Sequence, residues 1–319
     1  MPHAEIGLVG KLPASADFLR IQAQTEVFQT LLGWMIDGVQ GAAARPGGYA
    51  GEGQVGADAD GVLAFCYRSR RGTTALGGAL SPSMDQAGRR FPIAAASEFV
   101  LDDELNQHPE ALPLVLESVW AKTSQFVVEL QGVDRAALDA TPLHADVEAD
   151  VPAALSAYRG WTRDLELDDF VELVFDGDPA HAAAAFALTE DAVSPYVGVE
   201  NPDTPLALRL PLGQAGGAAV CFWLDLVVRL TGWRRTVPSF FWSHDGKAGA
   251  LMLHLGRVSP AVLPELWLPT GRSDEVCDVV APQHSFRSPH TSRWERILGE
   301  PNEAVSELLR AASAKTHRS

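Results

Sequence analysis

Two clusters in the 319-residue chain combine residue types that can do chemistry: Gly10-Lys11-Leu12-Pro13-Ala14-Ser15-Ala16-Asp17-Phe18-Leu19-Arg20 and Ser81-Pro82-Ser83-Met84-Asp85-Gln86-Ala87-Gly88-Arg89-Arg90-Phe91-Pro92. Each joins turn formers, charged side chains and an aromatic within a dozen residues. One reading is structural: Lys11 with Asp17, and Asp85 with Arg89, form loop-ordering ion pairs while Phe18 and Phe91 plug the core, since charged pairs withdrawn from water often specify geometry. The other brings both loops to one polar site, where Lys11, Arg89 and Arg90 meet an anionic ligand or a partner's phosphate. Ser83 with Lys11 would suggest a serine–lysine nucleophile, although no spacing puts the two in contact.

The remaining chemical signals are weaker. Gly51-Glu52-Gly53-Gln54-Val55-Gly56 matches GxGxxG, but no strand precedes it and no helix follows, so it reads as an exposed loop and not a pyrophosphate site. Asp58 and Asp60 resemble part of a calcium loop that lacks its first Asp and closing Glu. The sequence contains no GxSxG, HExxH or GxxxxGK[ST] motif, and its nine histidines include no metal-like helical pair. No catalytic residue, metal ligand or cofactor is therefore assigned.

A net charge of -16 disfavours long-range attraction to nucleic acid or to an anionic membrane. Residues 101–205 carry most of it, with 22 Asp and Glu against 4 Lys and Arg, which makes this stretch either a solvated surface or a docking face for a basic partner. Cys66, Cys221 and Cys277 are odd in number and lack CxxC spacing, as expected for reduced thiols in a cytoplasm. The N-terminus shows no secretory pattern. Ala218 to Leu230, interrupted by Asp225 and Arg229, is too short to span a bilayer and reads as a core helix.

Around the clusters, the pattern predicts a strand over 5–10, a helix bearing Phe28, Leu31, Leu32, Met35, Ile36 and Val39 on one face, and strands at 62–68 and at the two ends of 77–97. A long amphipathic helix follows over 112–130, then a short helix near 151–158 and a strand at 172–175. The runs 239–243 and 249–255, joined through His244-Asp245-Gly246, predict a central hairpin. One compact domain over 3–282, with a mobile Gly-rich loop at 45–61, and a partly helical appendage at 283–319 are expected.

The chain resembles the type VI secretion-associated TagF family, also called ImpM. The resemblance runs through Val9-Gly10-Lys11-Leu12-Pro13 with Asp17-Phe18, then Pro82-Ser83-Met84-Asp85 with Gly88-Arg89-Arg90-Phe91-Pro92, then Pro238-Ser239-Phe240-Phe241-Trp242. Ala16 stands where the family generally has Gly, and Gly33 where an Asp commonly precedes the Trp that here is Trp34. The resemblance implies an α/β fold, a three-layer α/β/α sandwich around a mixed sheet. It also implies a post-translational repressor of secretion that binds the system's forkhead-associated-domain protein, with Lys11, Asp17, Ser83, Asp85, Arg89 and Arg90 as candidate binding residues. An enzyme or small-anion sensor using Lys11, Asp85 and Arg89 is the alternative.

Overall fold

The computed structural model of the chain describes residues 3–43, 61–69, 73–134, 138, 144–146, 150–243, 249–267, 273–280, 288–300 and 303–313. The strands are β1 (His3–Glu5), β2 (Gly7–Gly10), β3 (Leu19–Ile21), β4 (Leu63–Arg68), β5 (Thr74–Ser81), β6 (Ile93–Val100), β7 (His144–Asp146), β8 (Ala207–Gly213), β9 (Ser239–Ser243), β10 (Gly249–His254) and β11 (Val276–Asp278). The helices are α1 (Glu26–Ala43), α2 (Asp103–Gln107), α3 (Leu112–Val115), α4 (Glu117–Glu129), α5 (Val151–Asp164), α6 (Leu167–Phe175), α7 (Pro179–Val193), α8 (Gly217–Thr231), α9 (Thr291–Leu298) and α10 (Val305–Ser313).

Nine strands form one mixed sheet in the order β11-β8-β10-β9-β4-β5-β6-β2-β3, while β1 pairs with β7 separately. Both faces of the sheet are buried, so its strands are almost continuously apolar rather than alternating. Leu63, Phe65 and Tyr67 of β4 pack with Phe241 of β9 against Phe28, Leu31 and Met35 of α1. Ala64 and Cys66 of β4, with Phe240 and Trp242 of β9, face the helices of the opposite layer, where α8 contributes Phe222 and Trp223. This is the expected three-layer α/β/α arrangement. The antiparallel pairing of β9 with β10 agrees with the expected hairpin, whose turn, like residues 45–60, lies outside the described residues.

Three elements differ from expectation. The segment expected as a strand at 172–175 ends α6, because Leu167, Phe170, Val171, Val174 and Phe175 are buried at helical spacing that a four-residue window conceals. The 112–130 helix is interrupted at Leu116, which packs onto the bare backbone of Gly77. Residues 283–319, expected as an appendage, contribute α9 and α10 to the main core: Trp294, Val305 and Leu308 are fully buried there. Their apolar faces are too small to stabilise a separate unit and complete the helical layer instead.

Candidate functional site: the junction of two loops

β2 and β5 both run antiparallel to β6, so their C-terminal ends flank the start of β6. β2 ends at Gly10, whose φ of 131° carries the chain over Pro92: a Cβ there would stand 2.2 Å from the Pro92 carbonyl oxygen. Lys11 emerges directly from this crossing. The 81–92 segment folds back on itself, with Met84 bridged to Arg90, the Asp85 N–H donating to the Arg89 carbonyl at 3.0 Å, and Gly88 turning at φ 78°.

The Asp85 carboxylate closes the junction. Its Oδ1 accepts the backbone N–H of Ala87 (3.0 Å) and Arg89 (2.9 Å), and its Oδ2 accepts Lys11 Nζ (2.8 Å) and Arg89 Nε (2.7 Å). Asp85 is 2% exposed. The Lys11 ammonium, followed by the donors from Arg89, holds the Asp85 carboxyl far below the usual carboxylate range, against the opposing effect of desolvation. Two further hydrogen bonds join the loops: Gln86 N–H to Ser15 O at 3.0 Å, and Arg89 Nη2 to Ala16 O at 2.9 Å. The Lys11 ammonium sits 4.9 Å from the Phe18 ring centroid, and Phe18 meets Phe91 edge-on at 4.8 Å.

Lys11 and Arg89 thus come together as the converging reading expected, but on the Asp85 carboxylate, which pairs with Arg89 as the structural reading expected. Asp17 does not pair with Lys11: it is exposed, and its backbone exchanges hydrogen bonds with the Ser15 hydroxyl. The more buried Asp85, across 74 residues of sequence, takes that place. Phe91 is buried, but Phe18 remains 41% exposed and forms part of the outer face instead of plugging the core. Ser83 is buried with no hydrogen-bond partner for its hydroxyl among the described residues, and Lys11 is committed to Asp85, so the serine–lysine pair does not form. Arg90 is half-buried at its bridge to Met84.

Sequence reasoning missed the Ser15 and Ala16 carbonyls, which no side-chain pattern reveals. It also missed Met84, which is 43% exposed and bridged to Arg90. An apolar residue inside an otherwise polar turn was the available signal. A second charged cluster, in the helical layer, joins Asp225 to Tyr158 (3.0 Å) and to Arg229 (2.5 Å), with Arg229 reaching Ser313 on α10. It ties α5, α8 and α10 together. Among the described residues, no group of three or more His, Cys, Asp and Glu is placed to hold a metal, and no helix is long and apolar enough to cross a membrane.

Residues 7–148 match the family model of the TagF N-terminal domain, Type VI secretion system-associated, a span that contains both loops of the junction but not the 238–242 motif. No curated protein matches the chain. A crystal structure of PA0076 from Pseudomonas aeruginosa PAO1 is similar over 84% of this chain and 96% of that one, at 14% identity and a TM-score of 0.38, a likeness too coarse to carry residue roles.

Proposed function

We propose, from the match of residues 7–148 to the TagF N-terminal domain, that the chain is a cytoplasmic, post-translational negative regulator of a type VI secretion system. It acts by binding a protein partner, the forkhead-associated-domain component, through the face of the junction. The carrying observation is that Lys11 and Asp85 satisfy one another inward while Phe18, Met84 and the Arg89 stem face solvent. An aromatic, a methionine and an arginine on a braced surface match the composition of protein-interface cores. The same pairing disfavours the enzyme alternative, because a lysine and an aspartate neutralising each other are poor as base, nucleophile or anion receptor.

Affinity purification of the tagged chain from its host, with and without Phe18→Ala, tests this. Recovery of the forkhead-associated protein by the wild type, reduced roughly thirtyfold by Phe18→Ala for a hot-spot loss of about 2 kcal/mol, is expected. Secreted tube protein should rise on deletion and fall on overproduction. Unchanged secretion in both strains, with the apparatus assembled, sinks the regulatory reading; intact binding by a folded Phe18→Ala variant moves the interface, with the acidic 101–205 stretch the next surface to test.

A further inference from the structure

At the end of the sheet opposite the junction, the last residue of β4 (Arg68), the first of β9 (Ser239) and the last of β10 (His254) open onto a cavity of about 340 Å³ beneath α1. Its size falls at the small end of metabolite sites. One wall is rigid: the Trp34 indole N–H donates to the Ser259 carbonyl at 2.9 Å, and the ring stacks on Phe241 at 5.2 Å.

Neither arginine of the cavity makes an ion pair among the described residues. Half-buried Arg68 donates to the Asn201 side-chain carbonyl and has no carboxylate within ion-pair distance among the described residues; burial holds it below its usual pKa, against the opposing effects of Cys66 and of the more distant Glu200 carboxylate. Arg257 at the mouth is exposed and likewise makes no ion pair among them. His254 is 1% exposed, and its Nε2 has no hydrogen-bond partner there. Burial pushes its pKa down to about 3, so the ring is neutral and contributes no positive charge that would make the site attract polyanions. A half-buried guanidinium with no carboxylate in direct contact keeps donors open to a ligand, and its planar fork matches a carboxylate. Asp37 and Asp203 also line the cavity, which penalises ligands of higher negative charge.

We propose that this cavity binds a small monocarboxylate metabolite, its carboxylate on Arg68 with Arg257 assisting at the mouth, and its compact apolar body against the Trp34 wall. Neither the ligand nor the site depends on the partner reading above.

Calorimetric titration and thermal shift of the full chain with benzoate, benzamide, benzamidine and phenyl phosphate test the assignment. Benzoate should bind at millimolar concentration and raise the melting temperature, benzamide and benzamidine should not, and phenyl phosphate should bind more weakly than benzoate. Arg68→Gln should weaken benzoate at least about tenfold, as expected for losing a charge-assisted hydrogen bond. Because Arg68→Gln removes a half-buried side chain, the exposed Arg257→Gln serves beside it and should weaken binding severalfold without changing the melting temperature of the free protein. Absence of benzoate binding, equal binding of benzamide, tighter binding of phenyl phosphate, or undiminished benzoate binding in both folded variants overturns the proposal.

Discussion

At the residue scale, Asp85 decides what the junction is. Four donors converge on one carboxylate, two of them backbone N–H groups from its own turn, so the group orders its loop before it binds the neighbouring one. Replacing Lys11 by Met leaves three of those donors in place. Replacing Asp85 by Ala strands a buried ammonium and frees the turn, so Asp85→Ala should lower the melting temperature more than Lys11→Met does, as read by calorimetry. The pH dependence has a definite sign. A carboxyl whose folded pKa is depressed contributes stability that is fully present above the unfolded value of about 3.9 and is lost as pH falls through the folded one. Wild-type stability should therefore decline below about pH 4 more steeply than that of Asp85→Asn. Equal acid slopes would remove Asp85 from the linkage. The residue types of this site were legible in the sequence, but its pairing was not: Asp17 lies six positions from Lys11, whereas Asp85 becomes its neighbour only through the β2–β6–β5 pairing.

At the element scale, the sheet positions the junction through a single crossing at Gly10. A side chain there would need both a backbone conformation that L residues rarely adopt and the space held by the Pro92 carbonyl. Gly10→Ala is expected to destabilise the chain by at least about 1–3 kcal/mol, the usual cost of one such strained position, measured by urea unfolding. A change within error would show that β2 can part from β6 without consequence. Long elements with a sustained period, such as α1 and α8, were readable from sequence because burial on one face or all round repeats over several turns. Short ones were not. Four residues of α6 carry the same apolar signature as a strand, and β8 was not anticipated although it lies between two partners in the sheet.

At the scale of the whole molecule, the C-terminal segment is the largest departure from what the sequence suggested. Its charge balance and short helical patterns resemble a peripheral tail, yet Trp294 is fully buried, touches Phe186 at 5.2 Å and donates its indole N–H to Glu190 at 2.9 Å. Few long-range contacts can be inferred from a short amphipathic helix alone, because the face it covers is supplied by α7 and α8 more than 60 residues upstream. Trp294→Ala should cost about 3–5 kcal/mol in chemical denaturation, the range for emptying a large aromatic core site. A loss within about 0.5 kcal/mol, typical of a surface position, would restore the appendage view.

The seam between β4 and β9 has a consequence for how the chain can be divided. The match to the TagF N-terminal domain model ends at 148, but Leu63–Cys66 of β4 are hydrogen-bonded to Phe240–Ser243 of β9, which lies beyond it. Excising the module would turn an interior strand into a bare rim of unpaired amides bordered by Phe65 and Leu63, and such rims recruit further copies edge to edge. A fragment cut at the family boundary is thus expected to polymerise rather than stand alone, and residues 150–313 would act on it as an intramolecular chaperone by supplying the missing strand.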